Sequence, residues 1–366
     1  MQLTTLSIAN FRNLGKLDLV FEQPVTAFVG ENAQGKTNIL EAISVLALGK
    51  SLRADEEKNL IPYGEDFYRV SGEAQEGSGE KLRIEVSAAA KPSINKVCKV
   101  NGRKVNASDL VGRLPLVSFA PEDLNLVLLS PSLRRRYIDI LLSQVDRKYL
   151  QALSSYGKAL KQRNALLGRI AEGFANENEL EFWDKELAQH GSVIGKHRAD
   201  WLREIAKPLA SYFEKISGEK RKLTAELRNF HGEEITLEKY LENLEKMREK
   251  DLRYGNTNYG IHKQDLQLSL AGKPLAENGS RGEIRSSVLA LKFTELEFLE
   301  KHTEKKPILL LDDVFSELDR GRQESLMQML VGYQTFITTT KVEHLETIRK
   351  QTQIYEVEKG KVREAA

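Results

Sequence analysis

Residues 30–37 read Gly30-Glu31-Asn32-Ala33-Gln34-Gly35-Lys36-Thr37 and satisfy the pattern G-x-x-x-x-G-K-[ST]. The β-prone run Val25-Thr26-Ala27-Phe28-Val29 precedes this stretch, and helical spacing follows it from Asn38. The two glycines let the backbone curl until consecutive N–H groups face one anion, and the positive end of the following helix adds to that field. The stretch therefore predicts a nucleoside triphosphate site between a strand and a helix.

Two acidic residues near the other end of the chain complete the expected site. Pro307-Ile308-Leu309-Leu310-Leu311-Asp312 is typical of a strand buried on both faces, and Asp313 follows it. We expect Lys36 to bind the β and γ oxygens, and Thr37 and Asp312 to hold Mg²⁺. Asp313 would orient or deprotonate the attacking water. The competing interpretation is that these adjacent acids only cap the next helix.

Other features separate the chain from some classes of phosphate-loop protein. A GTPase needs an Asn-Lys-x-Asp string for guanine, and the nearest strings, at 95–98 and 262–265, do not fit. A small nucleotide kinase rarely carries an insertion as long as the charge-rich helical region over about 132–215. The phosphate loop names a triphosphate site without naming a function.

The order of predicted elements favours an α/β fold interrupted by a helical insertion. Strand patterns fill much of the first thirty residues and of 66–120, where Asn101-Gly102 predicts a hairpin turn. Alternating helices and strands return from about Ser286. We predict that 1–128 and 255–366 together form an α/β head with a mixed β-sheet, and that 129–254 is an inserted helical arm.

Within the arm, spacings of three and four residues predict two antiparallel helices that pack along one seam. The predicted seam residues are Leu150, Leu153, Gly157, Leu160, Asn164 and Leu167 in the first helix, and Trp183, Leu187, His190, Ile194, His197 and Trp201 in the second. Residues 171–178 form the expected polar tip, and Pro208 should kink or end the second helix. A further helix is expected over 237–253, ending at Gly255.

Composition restricts the class of protein further. The 366 residues are 40% hydrophobic and 30% charged, which supports a folded core and argues against a disordered chain. The single cysteine, Cys98, forms no internal disulfide or zinc cluster. No signal peptide or membrane span is evident, so a cytoplasmic protein is predicted.

Basic residues are concentrated in one part of the arm. Residues 130–165 contain eight Lys or Arg and two acids, a local net charge of +6 on a chain whose net charge is +2. Such a cluster is typical of binding to the phosphates of nucleic acid without sequence specificity. The residues expected to bind DNA are Arg134, Arg135, Arg136, Arg147 and Lys148. A solvated helix face, or ion pairs between Arg134–Arg136 and the head, are the alternatives.

Several blocks of the sequence resemble the RecF recombination-repair family. The order of phosphate loop, helical insertion, Ser280-Arg281-Gly282-Glu283 and Leu311-Asp312-Asp313 is similar to ABC-type ATPase heads of DNA-maintenance proteins. The blocks that carry the specific resemblance are 10–13, 30–43, 48–53, 119–124, 130–136 and 309–319. They run through nearly the whole chain in the order of the family.

The resemblance implies an ABC-type P-loop ATPase head with a short helical arm, and ATP and Mg²⁺ as cofactors. It also implies an ATP-dependent homodimer that clamps double-stranded, gapped or junction DNA, and a slow, DNA-stimulated hydrolysis that releases it. Such proteins work with RecR and RecO to load recombinase during DNA repair, replication restart and the SOS response. The nucleotide-contacting residues expected on this basis are Arg12, Gly30, Glu31, Asn32, Ala33, Gln34, Gly35, Lys36, Thr37, Asn38, Ser280 and Gly282. Ser280 and Gly282 would reach the γ-phosphate of a second copy, and Asp319 would cross the dimer interface.

Two positions depart from the family pattern. Glu283 stands where a glutamine is usual, and a carboxylate about 8 Å from a γ-phosphate costs about 2 kcal/mol at an effective dielectric constant near 20. Arg281 and Arg285 could neutralise it, so we expect Glu283 to weaken ATP-driven dimerisation without abolishing it. In Gly260-Ile261-His262-Lys263-Gln264-Asp265 the family's histidine is kept among altered neighbours. His262 is therefore either a site residue or a satisfied core residue.

Three classes of function remain open on the sequence. The leading hypothesis is an ATP-gated DNA clamp, in which ATP makes its differential contacts only in the dimer. A second is a turnover enzyme, either a motor or a transporter subunit, although transport would need a membrane partner. The third is an interaction scaffold with a weakly active nucleotide site, against which the intact Lys36, Thr37, Asp312 and Asp313 speak.

Overall fold

The chain divides into two compact units. In the computed structural model, which describes residues 1–54, 56–76, 79–229 and 235–365, the first unit comprises Met1–Asp123 and Leu291–Ala366, and the second comprises Leu124–Ala290. The strands are β1 (Gln2–Phe11), β2 (Leu14–Val20), β3 (Val25–Val29), β4 (Phe67–Gln75), β5 (Lys81–Ala89), β6 (Asn95–Val100), β7 (Arg103–Val105), β8 (Leu116–Phe119), β9 (Leu223–Arg228), β10 (Asp265–Leu270), β11 (Lys273–Pro274), β12 (Ile308–Asp312), β13 (Thr335–Thr339), β14 (Thr352–Glu358) and β15 (Lys361–Glu364). The helices are α1 (Lys36–Leu48), α2 (Asn125–Leu128), α3 (Pro131–Val145), α4 (Arg147–Ala171), α5 (Leu180–Ser217), α6 (Leu237–Lys246), α7 (Arg248–Tyr254), α8 (Leu275–Asn278), α9 (Arg281–Thr303) and α10 (Arg320–Met329).

Two sheets sandwich α1 in the first unit. One is antiparallel, with the order β2-β1-β4-β5-β6-β7, and the other has the order β15-β14-β3-β13-β12-β8. In the second sheet the strands from β14 to β8 are parallel, and β15 is antiparallel at the edge. Helix α1 contacts strands of both sheets and is buried along nearly its whole length, as an all-round apolar helix requires. The α/β head with a mixed β-sheet is confirmed.

Local patterns in the head predicted the elements well. Strand β3 has the predicted bounds, and β12 is buried on both faces between parallel neighbours. Asn101 and Gly102 both have positive φ, 49° and 80°, as a two-residue hairpin between β6 and β7 requires. The residues of each of these segments favour the structure that the segment adopts.

The second unit is helical, with a small sheet of order β11-β10-β9. Helices α4 and α5 pack together as the predicted hairpin. Helix α5 does not end at Pro208. It runs through it to Ser217, because the buried residues Leu209, Phe213 and Ile216 continue its packed face. The predicted helix over 237–253 is interrupted at Met247, between α6 and α7, and stops at the left-handed Gly255.

The predicted seam of the arm is wrong in the first helix, except at Leu167, which is buried as predicted. The residues that α4 buries are Tyr149, Ala152, Tyr156, Ala159, Arg163, Leu166 and Leu167. This face is rotated by about one residue from the leucines, because tyrosines and an arginine with buried hydrogen-bond partners outweigh aliphatic spacing. In α5 the face includes Gly191 and Gly195, where an added Cβ would lie 2.4 Å from the Tyr240 ring and from Ile235 Cδ1.

The division of the chain differs from the predicted domains at the second boundary. Residues 255–290 lie in the helical unit, not in the head. The reason is that β10, which lies in this segment, pairs with β9, which lies in the predicted arm. Among the described residues, the helices include none long and apolar enough to cross a membrane.

Candidate nucleotide-binding site

The carboxyl ends of parallel strands bring the predicted site residues of the head together. Strands β3, β13 and β12 are neighbours in the sheet, and the phosphate loop follows β3 directly. Asp312 ends β12 and stands opposite Thr338 of β13 in the register. Clefts at this edge of parallel sheets commonly bind ligands. The cavity here has a volume of about 300 Å³ and is lined by Asn32, Ala33, Gly35, Lys36, Thr37, Asn38, Arg53, Pro121, Glu122, Asp312, Asp313 and Thr338.

The phosphate loop is held open by its own backbone and by Asn13. An added Cβ at Gly30 would lie 2.3 Å from the carbonyl oxygen of Val357 on β14, so only glycine fits there. Gly35 has φ of 113°, and an added Cβ would meet the Asn13 side chain at 2.8 Å. That side chain also donates to the carbonyl of Gln34 and accepts from Asn38. The loop therefore keeps its shape by contacts made without a ligand.

Lys36 is buried at the centre of the loop. Its Nζ donates to the carbonyl oxygens of Gly30 and Glu31, at 2.6 Å each. Burial lowers the pKa of Lys36, while the charges of Asp313 and Asp312 oppose that shift. The ammonium group therefore lies within the loop, at the position where phosphate oxygens could replace the two carbonyls as acceptors.

Asp312 is fixed by two hydroxyl groups. Thr37 Oγ1 donates to Asp312 Oδ1 at 2.8 Å, and Thr338 Oγ1 donates to the same oxygen at 2.6 Å. Burial raises the pKa of Asp312, and these two hydrogen bonds counter the effect. Asp313 has a left-handed φ of 48°, and its Oδ1 is buried without a hydrogen-bond partner in the described part of the chain. A buried acceptor in that state is suited to a water molecule or another ligand.

These oxygens fit Mg²⁺. Thr37 donates its only proton to Asp312, which leaves lone pairs of its hydroxyl oxygen for a cation. Mg²⁺ prefers hard oxygen ligands, usually one or two carboxylates together with phosphate oxygens and water. No cluster of three or more His, Cys, Asp or Glu side chains suited to a metal occurs in the described ranges. With Thr37 and Asp312 as protein ligands, phosphate oxygens and water would complete the coordination of Mg²⁺.

Arg12 lies away from the cavity lining. Its Nε and Nη2 donate to the two carboxylate oxygens of Glu41 at 3.0 and 2.8 Å, and Ser51 donates to Glu41 at 2.5 Å. Arg53, which follows in the same loop, is exposed and lines the cavity. The nucleotide contact expected of Arg12 stays a prediction, and in this structure Arg53 is the arginine that faces the cavity.

Four residues of the cavity lining had no predicted role: Arg53, Pro121, Glu122 and Thr338. Arg53 and Glu122 belong to blocks that carry the family resemblance. Glu122 follows β8, the parallel neighbour of β12, so its place at this edge is a consequence of strand order. Thr338 is the fourth residue of β13, a buried strand of five apolar or β-branched residues, and nothing in that pattern marks one threonine as a site residue.

The Ser280 region forms a helix cap in the second unit. The backbone N–H of Ser280 donates to Glu283 Oε2 at 2.6 Å, and the N–H of Glu283 donates to Ser280 Oγ at 3.2 Å. This reciprocal pair is a capping box for α9. The pKa of Glu283 is lowered, first by the bond from Ser280 N–H and then by an ion pair with Arg221. Either Glu or Gln at this position can make the cap.

Asp319 and His262 both have structural roles. Asp319 caps α10, since its side chain accepts from the N–H of Arg322 at 3.0 Å, and this bond lowers its pKa. His262 Nε2 lies 3.0 Å from the carbonyl of Thr257, so that nitrogen donates, and Nδ1 accepts from the hydroxyl of Tyr156 at 2.7 Å. Burial lowers the pKa of His262 to about 4. His262 is a satisfied neutral residue of the second unit.

The basic residues expected to bind DNA divide into two groups. Arg134 forms a bidentate pair with Asp265 at 2.6 and 2.9 Å, and Arg135 donates to the carbonyl of Gln264. Arg136 is half-buried. Arg147 and Lys148 are exposed at the start of α4. Since helix α4 contains no acidic residue, its exposed face carries the better candidates for phosphate contacts.

The chain is similar to known proteins of one family along nearly its whole length. Residues 2–363 match the RecF/RecN/SMC N-terminal domain family. The DNA replication and repair protein RecF of Streptococcus suis strain 05ZYH33 is 39% identical over 371 aligned residues, covering 100% of both chains. That of Thermoanaerobacter pseudethanolicus is 38% identical, covering 94% of this chain and 96% of its own.

Solved structures are similar to this chain in fold. One described as the recombination mediator protein RecF-ATP in the RecFOR pathway has a TM-score of 0.91 and 34% identity, covering 100% of this chain and 98% of that one. An Smc head domain from Pyrococcus furiosus has a TM-score of 0.56 and 18% identity, covering 100% of this chain and 96% of that one, which shows a shared fold alone.

Proposed function

Because the chain belongs to the RecF family, we propose that it is an ATP-dependent DNA replication and repair protein. In the finer proposal, two copies of the ATP-bound chain clamp DNA at gaps or junctions, and slow hydrolysis releases it. The observation that carries the proposal is the cavity in which Lys36, the Thr37–Asp312 pair and Asp313 meet. A RecR-type mediator is the proposed partner in loading recombinase, and a cytoplasmic location stays a prediction.

The residues of the cavity divide the work on a triphosphate. Lys36 would exchange the carbonyls of Gly30 and Glu31 for phosphate oxygens. Thr37 and Asp312 would hold Mg²⁺, which when bound neutralises charge on the phosphates. The buried Oδ1 of Asp313 would accept a proton from, or orient, the attacking water.

The second copy would supply the Ser280 end of α9. A helix of 23 residues presents a positive dipole end and backbone N–H groups at its N-terminus, and these favour an anionic phosphate. Ser280 and Gly282 would stand at that end. ATP then stabilises only the dimer, so binding shifts the population and hydrolysis reverses it.

The proposed DNA surface is the exposed face of α4. Arg147, Lys158 and Lys161 are exposed, and their spacing of eleven and three residues places them on one face of the helix. Lys148 lies beside them. Contacts of this kind bind phosphates and do not read sequence. Arg134, Arg135 and Arg136 would support the surface by holding α3, not by binding DNA directly.

Sedimentation with and without ATP, in the presence of gapped duplex DNA, tests the clamp. We expect ATP to produce dimers of the wild type, Lys36→Arg to prevent them, and Asp313→Asn to accumulate them on DNA. Lys16→Arg and Asp18→Asn, which change exposed residues of the same unit, are the matched controls. Rapid turnover by a monomer would favour a turnover enzyme. ATP binding without any change in association would favour the scaffold.

A second arm of the experiment tests the DNA surface. Lys158→Ala combined with Lys161→Ala should weaken DNA binding and reduce the slope of log affinity against log salt by about 2, because each phosphate contact contributes about 0.9. Lys81→Ala combined with Lys104→Ala, on exposed strands of the head, should leave the slope unchanged. Equal effects from both pairs would contradict the placement on α4.

A further inference from the structure

Thr338 joins the two consecutive acidic residues of the cavity through a single hydroxyl group. Its Oγ1 donates to Asp312 Oδ1 at 2.6 Å and accepts from the backbone N–H of Asp313 at 2.9 Å. The side chain is fully buried on β13, directly opposite Asp312 in the parallel register. One threonine therefore contacts both residues that the proposed function assigns to metal binding and water activation.

The direction of these bonds is determined by proton count. An N–H group can only donate, so the Thr338 hydroxyl oxygen accepts from the N–H of Asp313. The single hydroxyl proton is then donated to Asp312. The Thr37 hydroxyl donates to the same Oδ1 at 2.8 Å. Two donors that approach one carboxylate oxygen restrict the rotation of the group, and they thereby set the position of its second oxygen.

The same threonine holds the turn at Asp313. This residue has a φ of 48°, which non-glycine residues seldom adopt without support from neighbouring structure. Its N–H is shared between Thr338 Oγ1 at 2.9 Å and the Thr338 carbonyl at 3.2 Å. The turn aims the carboxylate whose Oδ1 is buried without a partner in the described residues.

We propose that Thr338 is a positioning residue, which sets the Asp312 carboxylate and the Asp313 turn relative to each other. The inference rests on the proposed function, because it concerns the same nucleotide site. It assigns Thr338 no contact with substrate. Its effect passes through the two carboxylates, so it changes the use of Mg²⁺ and the rate of hydrolysis more than the affinity for ATP.

The test compares Thr338→Val, which removes the hydroxyl at constant shape, with Thr338→Ser, which keeps it. Thr338→Ala is measured alongside in case valine disturbs the strand. Thr335→Val is the matched control, since Thr335 is a fully buried threonine at the other end of β13. The readouts are ATP affinity by calorimetry without and with Mg²⁺, the Mg²⁺ concentration that gives half of the affinity gain, and kcat and KM for hydrolysis.

For Thr338→Val and Thr338→Ala we expect a kcat about 10- to 100-fold lower, a tenfold higher Mg²⁺ requirement, and metal-free ATP affinity and KM within about threefold of wild type. Thr338→Ser should restore both kcat and the Mg²⁺ requirement, and Thr335→Val should change neither. Rescue by serine separates positioning from packing, because serine lacks the buried methyl group.

Hydroxyl-free variants with wild-type kcat and Mg²⁺ requirement would overturn the inference and leave the proposed function intact. The inference is also overturned if Thr338→Ser is as impaired as Thr338→Val, since the buried methyl would then be what matters. A wild-type chain that binds no ATP would contradict the proposed function and, with it, this inference.

Discussion

The nucleotide cavity of the head and the polar core of the helical unit use similar side chains in opposite ways. In the helical unit, Arg198 donates to Tyr149, Ile261, Gln264 and Asp139 and is almost fully buried. In the head, Lys36 donates to two carbonyls of its own loop, and Asp313 Oδ1 is buried without a partner in the described residues.

Buried polar groups that are bonded to each other stabilise the fold, whereas those with unused bonding capacity in a cavity are suited to bind a ligand. A buried polar group costs free energy unless it is hydrogen-bonded. An unpaired group in a cavity can therefore gain free energy by binding water or a ligand. Charges that are paired with each other, as Arg198 is with Asp139, stabilise the packing of the unit that contains them. We therefore expect changes in the helical core to alter stability, and changes in the cavity to alter binding and turnover.

The largest effect is expected from Arg198→Met. Removing the buried guanidinium takes the ion-pair partner from Asp139, which is partly buried and keeps its bond from the Tyr149 hydroxyl, and it takes a donor from Gln264 and from the Ile261 carbonyl. These losses should lower the free energy of unfolding by about 3–5 kcal/mol. Both tryptophans, Trp183 and Trp201, lie in the helical unit, so tryptophan fluorescence during urea titration reports on that unit. Arg203→Met, on an exposed turn of the same helix, should change stability by less than about 0.5 kcal/mol. A loss below about 1 kcal/mol for Arg198→Met would contradict the structural role.

A somewhat smaller effect should follow from acidification. Burial holds the pKa of His262 at about 4, below its unfolded value of 6.5, so the unfolded chain binds the proton first. The stability contributed by neutral His262 is present above pH 6.5 and is lost as the pH falls toward 4. Between pH 7 and 4.5 this loss amounts to about 2–3 kcal/mol. Lys263 and Arg135 lower the same pKa, and Asp251 opposes them.

His262→Gln should remove this part of the pH dependence, because glutamine does not titrate. The comparison is the difference in unfolding free energy between pH 7 and pH 4.5, measured again by tryptophan fluorescence. His190→Gln, on the same unit and partly exposed, should keep the wild-type slope. An unchanged slope in His262→Gln would show that protonation of His262 does not disturb its bonds to Tyr156 and Thr257.

The smallest effect is expected from Glu283→Gln. Glutamine preserves the capping box with Ser280, so stability should change by less than about 0.5 kcal/mol, whereas Glu283→Ala should cost about 1 kcal/mol. Because Arg221 neutralises Glu283, we expect ATP-driven dimerisation of Glu283→Gln to strengthen by less than about threefold. Sedimentation of Glu283→Gln and Arg221→Gln measures this, and a tenfold gain in the former would mean that the charge faces the phosphate unscreened.

The sequence predicted the head more completely than the arm, for a physical reason. The phosphate loop, β3, β12 and the Asn101-Gly102 hairpin are each specified by local residues whose geometry has few alternatives. The buried face of α4 depends on partners far along the chain, as when Arg163 meets Asp184 and Asp251. Leucine spacing carries no information about those partners, so the seam was predicted on the wrong face.

The same distinction holds within the site. Lys36, Thr37, Asp312 and Asp313 could be identified because each belongs to a motif with a known chemical purpose. Thr338 could not, since its role comes from the strand order that places β13 beside β12. Glu122 likewise reaches the cavity through the neighbouring strand β8. Residues that act through sheet topology become visible only when the strands are ordered.

The most direct test of the account is a calorimetric titration of MgATP into the wild type and Lys36→Met, with the unfolding free energy of each measured in parallel. We predict one site per chain in the wild type and an affinity about 10- to 150-fold lower in Lys36→Met, because hydrogen bonds to charged groups contribute about 1.5–3 kcal/mol. The unfolding free energies without nucleotide should agree within about 1 kcal/mol. Equal affinities, or a loss of stability like that of Arg198→Met, would mean that Lys36 serves the fold and not a ligand.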